Sequence, residues 1–216
     1  MSKILLIGTS PISLINFRKE LIKSLIVNGH QVIVMVSKFT STEVENIKNL
    51  GVEYIDYSVE RNSLNPLADL KTLLNFIKVF TSENPDIVLA YTIKPVVWGG
   101  LASRLFKFNF YALITGLGFA FQGDSFKRKF LTKLVVFLYK AALKKSKAVI
   151  FQNIDNGNVF IEKGIIPKSK AYVVNGSGVD LEKYNVENLP RGNIIFLCIS
   201  RLLGEKGLRE YAEAAK

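Results

Sequence analysis

Short runs of Val, Ile, Leu and Tyr alternate with stretches of helix length along the chain, and this alternation constrains the fold more than any other feature. The runs show little polar alternation, which is typical of strands covered on both faces, as in a parallel sheet. Strands that alternate with helices imply right-handed crossovers. We therefore predict an α/β fold with a doubly wound, Rossmann-like parallel sheet, whose ligands bind at the carboxyl ends of the strands.

The predicted strands are Lys3–Ile7, Gln31–Val36, Val52–Tyr57, Asp86–Tyr91, Phe110–Ile114, Ala148–Gln152, Ala171–Val174 and Ile194–Ile199. The predicted helices are Leu14–Asn28, Thr42–Leu50, Pro66–Phe80, Val96–Lys107, Lys127–Lys145, Ile154–Lys163 and Gly207–Lys216.

Turn-forming residues divide the chain unevenly. Residues 175–178 (NGSG) and 188–193, which include Pro190 and Gly192, are typical of turns and linkers. Only one predicted strand and one predicted helix follow, and these are too few to form a core. We therefore predict an N-terminal Rossmann-like domain over residues 1–188, and the incomplete start of a second Rossmann-like domain over residues 189–216.

The composition excludes several classes of protein. With one cysteine, Cys198, and one histidine, His30, the chain has no disulfide framework and no metal site built from these residue types. It also lacks a D-x-D pair of carboxylates, so we expect neither a metal ion nor a cofactor. The N-terminal apolar run is too short for a signal peptide, and the cytoplasm is the expected compartment.

The formal net charge of +11 is concentrated in one segment. Residues 126–147 hold eight lysines and arginines and no acidic residue, which leaves +3 for the remainder. On a helical wheel Lys129, Lys133, Lys140, Lys144 and Lys147 form one stripe, of which the first four are the predicted membrane contact. We expect the apolar residues Phe130, Leu134, Phe137, Leu138 and Ala141 to face away from it. A sheet-packing helix with a solvated face is the alternative, but a stripe of one sign favours peripheral contact with an anionic membrane.

Candidate ligand contacts follow three of the predicted strands. After the first strand the G-x-G-x-x-G pattern is absent, and the chain has no P-loop motif, which disfavours a dinucleotide oxidoreductase and a P-loop nucleotidase. Ser13, Asn16 and Arg18 lie in the following helix start, where backbone N–H groups face a ligand. The other candidates are Thr92 and Lys94 after the fourth strand, and Gly116 and Gly118 after the fifth. A surface arginine, a solvated lysine and glycines required only for packing remain the alternatives.

Two further basic residues lie near the end of the chain. Arg201 closes the last predicted strand, and Lys206 opens the last predicted helix. A diphosphate at that helix N-terminus would meet N–H donors, a guanidinium and an ammonium group together. A plain exposed turn containing Glu205 is the alternative.

Several short segments, in this order, resemble the N-terminal part of family 4, GT-B-fold, retaining glycosyltransferases. The resemblance is to bacterial enzymes that extend sugars on polyprenyl-diphosphate lipids, or that build capsule and O-antigen units. The matching segments are Ser13–Arg18 (SLINFR), Arg61–Pro66 (RNSLNP), Tyr91–Pro95 with Gly99-Gly100, Thr115–Phe119 (TGLGF), Phe151–Asn153 (FQN), Asn175–Asp180 (NGSGVD) and Ser200–Gly207 (SRLLGEKG).

The resemblance implies two Rossmann-like domains that face a cleft. The N-terminal domain would bind a lipid-linked or other glycan acceptor, and the C-terminal domain a nucleotide-sugar donor, often UDP-linked. Arg201 and Lys206 match the family's pair that neutralises the donor diphosphate without a metal ion. The lysine stripe would attach the protein to the inner face of the plasma membrane, in the synthesis of cell-surface glycans.

This sequence also departs from the family pattern. Many members carry a histidine at the end of the fourth strand, where this chain has Tyr91 to Lys94. The family's E-x7-E motif is expected beyond residue 216, so we expect the chain alone to be inactive. The sequence leaves open a non-catalytic module that binds a membrane or a lipid-linked sugar. A nucleic-acid binder ranks last, because the chain has no motif of that class.

Overall fold

The computed structural model describes residues 1–59, 65–118, 121, 126–188, 191–200, 202 and 206–215. It divides into two compact units, Met1–Gly178 and Val179–Lys216. The sequence predicted the division ten residues later, at 188. We describe each unit by itself.

The first unit is built on a seven-stranded sheet in the order β3-β2-β1-β4-β5-β6-β7, in which every neighbouring pair is parallel. Leu5 at the centre of β1 pairs with Ile33 of β2 and Val88 of β4. The seven strands lie where the apolar runs predict them, to within one residue at each end. Their bounds are β1 Lys3–Ile7, β2 Gln31–Val36, β3 Glu53–Asp56, β4 Ile87–Tyr91, β5 Asn109–Ile114, β6 Ala148–Phe151 and β7 Ala171–Val173.

Helices cover both faces of this sheet. Their bounds are α1 Pro11–Val27, α2 Ser41–Asn49, α3 Pro66–Glu83, α4 Gly100–Ser103, α5 Phe126–Leu143 and α6 Ile154–Glu162. The side chains of Thr40, Asn65 and Asn153 cap the N-termini of α2, α3 and α6 by accepting hydrogen bonds from backbone N–H groups. The predicted helix Val96–Lys107 is shorter than expected: Pro95–Gly99 forms a π-helical turn that leads into α4.

Two apolar clusters fix the helices to the sheet. One joins α1 and α2 to one face, with Leu14, Ile22 and Ile47 fully buried. The other joins α3 to α6 to the opposite face and includes Phe76 and Phe160. Because β1 and β4 are neighbours whose following helices pack on opposite faces, a crevice opens between their carboxyl ends. The α/β, doubly wound, Rossmann-like fold is confirmed.

The second unit contains one helix among its described residues, α7 at Leu208–Ala214. The predicted strand Ile194–Ile199 is not formed, and this expectation was wrong. Side chains such as Phe196 and Ile199 are exposed, at 80% and 87%. A strand requires a partner for its backbone groups, and residues 191–200 pair with none of the strands that the structure describes.

Candidate functional site

The loop after β1 is held rigidly at the crevice. The Gly8 N–H donates to the Met35 carbonyl over 2.9 Å, and the Tyr57 hydroxyl donates to the Gly8 carbonyl over 2.7 Å. The ring of Tyr91 fills the space where a side chain at position 8 would stand, because a Cβ there would lie 2.2 Å from Tyr91 Cζ. Glycine is therefore required at position 8 by packing alone.

The loop after β4 adopts a strained backbone at the same edge. Thr92 has a φ of +68°, in the left-handed region that β-branched residues rarely adopt. Its hydroxyl lies 3.3 Å from the hydroxyl of Thr9, within hydrogen-bond distance, and so joins the β4 loop to the β1 loop. Strain of this kind persists where the surroundings hold it, and it is concentrated at functional sites. Thr92 therefore lies at the crevice, beside the β1 loop.

Arg18 is the least expected group at this edge, because its side chain is buried rather than on the surface. The residue is 5% exposed. Its Nη1 donates to the carbonyl of Phe17 and to the hydroxyl of Ser177, each over 2.8 Å, and its guanidinium lies 5.1 Å from the centre of the Tyr91 ring. Burial lowers the pKa of Arg18, against an opposing effect of Tyr91. No described carboxylate pairs with this guanidinium, and its buried Nε has no hydrogen-bond partner.

Tyr91 shares this buried position. Burial raises the pKa of its hydroxyl, while Arg18 and Ser13 act in the opposite direction. The phenol is therefore neutral at physiological pH and does not neutralise the guanidinium. A buried cation that lacks a counter-charge is costly unless something pairs with it. The arrangement therefore suits an anionic ligand.

Two residues that the sequence did not predict complete the surroundings of Arg18. The Ser177 hydroxyl, which accepts from Arg18, also accepts from the side-chain amide of Gln152 over 2.9 Å. Gln152 follows β6 and Ser177 follows β7. The signal for both was their place in the segments FQN and NGSG at strand ends, where polar side chains converge on one edge of a parallel sheet.

Lys94, a predicted phosphate contact, already has a partner. Its Nζ lies 2.7 Å from Asp69 Oδ1 of α3, and the two side chains are only 12% and 15% exposed. The ion pair fixes the β4 loop to the first turn of α3. It also neutralises the ammonium group that the sequence suggested for a ligand.

The remaining predicted contacts lie on the same edge. Ser13 is half-buried and Asn16 exposed near the start of α1, whose first turn carries no acidic residue and whose Ser10 N-cap makes no side-chain hydrogen bond. After β5, Gly118 has a φ of +73°, and a Cβ there would lie 2.8 Å from Ile93 Cδ1. Gly116 differs, since no atom of the described residues lies within 4 Å of its Cβ position. The backbone conformation and the packing therefore require glycine at position 118, whereas the described residues leave open space beside Gly116.

The outer face of α5 carries both charge and aromatic rings, which corrects one prediction. Phe130 and Phe137 do not turn away from the lysine stripe: they are 68% and 67% exposed. Phe137 follows Lys133 by four residues and precedes Lys140 by three, so the helix places it beside them. The buried face is formed by Tyr139, Ala142 and Leu143, while Leu138 and Ala141 are half-buried. On the same outer face Phe126 and Leu134 are exposed, as are Lys129, Lys133, Lys140 and Lys144.

The predicted donor contacts lie in the second unit. Arg201 falls outside the described residues. Lys206 is exposed and stands two residues before α7, whose N-cap Gly207 has a φ of +67°. Among the residues that are described, no three His, Cys, Asp or Glu side chains are grouped to hold a metal ion. The described helices also include none that is both long and apolar enough to cross a bilayer.

Two bacterial glycosyltransferases are similar to this chain in sequence. A Campylobacter jejuni N,N'-diacetylbacillosaminyl-diphospho-undecaprenol alpha-1,3-N-acetylgalactosaminyltransferase is 28% identical over 94% of this chain and 57% of its own length. An Escherichia coli UDP-Gal:alpha-D-GlcNAc-diphosphoundecaprenol alpha-1,3-galactosyltransferase is 28% identical over 76% of this chain and 46% of its length. The chain thus spans about half the length of these relatives.

A solved structure and a family model complete the comparison. The crystal structure of a Rickettsia africae glycosyltransferase matches with a TM-score of 0.62 at 20% identity, over 99% of this chain and 49% of that one. At this identity the likeness shows a shared fold. The model of the glycosyl transferase 4-like family matches residues 3–153, which include β1 to β6 and the whole crevice between β1 and β4. This chain therefore belongs to the glycosyl transferase 4-like family.

Proposed function

We propose that this chain supplies the acceptor side of a retaining glycosyltransferase, which moves a sugar from a UDP-linked donor to a sugar on a polyprenyl-diphosphate lipid. Both relatives' names support this acceptor class, and the name of the Escherichia coli relative supports the donor nucleotide. The observation that carries the proposal is Arg18, a buried cation without an acidic partner among the described residues, at the edge where doubly wound sheets bind ligands.

Each predicted contact has a role in this proposal. The Arg18 guanidinium and the open N-terminus of α1 attract phosphate. Ser13, Asn16 and Thr92 offer polar groups to acceptor hydroxyls, and the open space beside Gly116 admits the sugar. Lys94 acts through its ion pair with Asp69, which positions the β4 loop.

The donor side rests on the resemblance of Arg201 and Lys206 to the family's pair of basic residues. In this proposal the two cations stabilise the charge that develops on the departing nucleotide diphosphate, which needs no metal ion. The family's E-x7-E motif, whose acids contact the donor sugar, is not among the segments of this chain that resemble the family. We therefore expect the 216-residue chain alone to transfer no sugar.

The outer face of α5 supports a location at the inner face of the plasma membrane. Exposed lysines attract anionic headgroups, and exposed rings such as Phe130 and Phe137 enter the region between headgroups and acyl chains. Monotopic contact of this kind brings the crevice to an acceptor that is itself held in the bilayer.

Sugar transfer tests the proposed reaction. The protein expressed from the whole native gene is incubated with radiolabelled UDP-sugars and a farnesyl-diphosphate-linked N-acetylhexosamine, beside the 216-residue chain. We expect a labelled lipid with the whole protein and none with the chain alone. We propose that the 216-residue chain supplies only the acceptor side, and sugar transfer by this chain alone would refute that. Binding of the acceptor without turnover by the whole protein would favour the non-catalytic module.

Vesicle sedimentation tests the membrane contact. Each lysine near an anionic surface contributes about 1 kcal/mol, so changing Lys129, Lys133, Lys140 and Lys144 to Gln should lower partition roughly a thousandfold on phosphatidylglycerol vesicles at low salt. The matched control changes four exposed lysines of the opposite face or its loops: Lys19, Lys23, Lys38 and Lys48. An equal loss in the control would mean that net charge alone drives binding.

A further inference from the structure

We propose that a groove beside α5 binds the diphosphate and the first isoprene units of a single prenyl-diphosphate lipid. The inference rests on the proposed function and adds where the lipid part of the acceptor lies. The groove has a volume of about 620 Å³ and is lined by residues of α5 together with Phe121 and Lys163. Pockets for small-molecule ligands usually have about 300–1,000 Å³.

The lining combines apolar surface with cations. Phe121, Phe126 and Phe130 provide aromatic walls, and the side chains of Lys129, Lys133 and Lys163 also line the groove. Among the residues that the structure describes, no acidic side chain belongs to the lining and none forms an ion pair with the three lysines. An apolar surface with unpaired ammonium groups is complementary to a ligand that is itself both apolar and anionic.

The position of the groove fits an acceptor that reaches the crevice. Phe121 follows Gly118 of the crevice by three residues, so their Cα atoms lie at most about 11 Å apart. The N-terminus of α5 begins at Phe126 on the same side, and its first turn carries no acidic residue. A diphosphate near this helix start would gain from the helix dipole. The sugar attached to that diphosphate would then point towards the carboxyl ends of β4 and β5.

A whole prenyl diphosphate matches the lining of the groove better than either a phosphate or a prenyl chain does alone. A free phosphate would leave the three phenylalanine rings without contact, and a neutral prenyl chain would carry no charge to attract the three lysines. The surface that contacts a bilayer extends beyond the groove to Phe137, Lys140 and Lys144, which do not line it. The groove therefore takes one lipid molecule, separate from contact with the bilayer as a whole.

Calorimetric titration with farnesyl diphosphate, below its aggregation concentration and without vesicles, tests this proposal. The titrated protein is the Arg18→Met chain, so that the crevice does not compete for the diphosphate. We expect a stoichiometry of one, with inorganic pyrophosphate and farnesol each binding at least about tenfold more weakly.

Lys133→Gln and Phe130→Ser should each weaken farnesyl diphosphate binding about tenfold. Lys144→Gln, on the same helix but outside the groove, should leave it unchanged. The side chains of Phe130, Lys133 and Lys144 are exposed, and circular dichroism verifies that all the variants fold.

Several results would overturn the proposal. Equal affinity for pyrophosphate would reduce the site to an anion site, and equal affinity for farnesol would reduce it to an apolar one. Equal loss in Lys144→Gln would mean unspecific charge attraction. Absence of farnesyl diphosphate binding, with vesicle binding retained, would leave this face as a membrane surface only. The proposed function would survive that result, since the sugar-transfer experiment tests it separately.

Discussion

Replacement of Arg18 by methionine separates a ligand-binding role from a structural one. Methionine keeps the length and the apolar stem of arginine but removes the charge. The change loses two hydrogen bonds, to Phe17 and Ser177, and the contact with the Tyr91 ring. At about 1 kcal/mol for each hydrogen bond and about 1 kcal/mol for the ring contact, the loss is about 3 kcal/mol.

Removal of the charge acts in the opposite direction. A guanidinium that is 5% exposed and has no carboxylate partner in the described part of the chain carries a desolvation cost of several kcal/mol. The two effects nearly cancel. We therefore expect the free energy of unfolding of Arg18→Met to be equal to that of the parent or higher by no more than about 1 kcal/mol. Leu14→Ala, at a fully buried position one turn earlier in α1, should cost about 2–5 kcal/mol.

Urea denaturation followed by far-UV circular dichroism measures these differences, provided that the m-value is unchanged. In the same experiment, diphosphate at a hundredfold excess over its Kd should stabilise the parent by about 2.7 kcal/mol, and Arg18→Met much less. A loss above about 3 kcal/mol without ligand would make Arg18 a structural residue. An undiminished response to diphosphate in Arg18→Met would show that the guanidinium does not bind it.

Three further changes test the geometry of the crevice. Gly8→Ala forces a Cβ to 2.2 Å from a buried ring and should cost about 1–3 kcal/mol or more, whereas Gly116→Ala, which meets no atom within 4 Å, should change thermal stability little; equal losses would refute the packing account. Asp69→Ala leaves the ammonium of Lys94 largely buried without its partner and should cost about 2–4 kcal/mol, with a clear coupling energy in a double-mutant cycle with Lys94→Ala; additive losses would show that the pair does not interact. Thr92→Gly removes the positive-φ strain and should stabilise the fold by up to about 1 kcal/mol in urea titration, while a large loss would mean that the hydroxyl contact dominates.

The sheet was predictable because its physical cause is local. Each buried parallel strand needs an apolar run of four to six residues, such as Gln31–Val36, and such runs stand out from their surroundings. Ile194–Ile199 has the same composition, yet it forms no strand. Composition identifies a segment that is able to form a strand, but a partner strand decides whether it does.

The burial of Arg18 was not predicted, although the sequence contains a signal for it. Arg18 follows Leu14 by four residues and precedes Ile22 by four, and these spacings place all three on one helix face. The structure buries that face and leaves Phe17 56% exposed. Residue type argued for a surface arginine, and helical spacing argued for a buried one. Spacing was the better guide, because the ring of Tyr91 provides a surface on which the guanidinium packs.

Long-range partners account for the rest of what the sequence did not reveal. Lys94 and Asp69 are 25 residues apart, and Arg18 and Ser177 are 159 apart. Neither pairing follows from a motif, because each depends on which strand ends are neighbours in the sheet. Once the order β3-β2-β1-β4-β5-β6-β7 is known, all four residues are expected near one edge.

Hydrogen–deuterium exchange, followed by mass spectrometry, tests the central claim that this edge of the sheet binds a lipid-linked sugar acceptor. The 216-residue chain is compared with and without a farnesyl-diphosphate-linked N-acetylhexosamine. The account predicts slower exchange in the segments 8–18, 91–94 and 115–118, with no change in α2, which packs on the opposite face from the α5 groove. Protection confined to α5, or no protection at any of the three segments, would contradict the assignment of the crevice as the acceptor site.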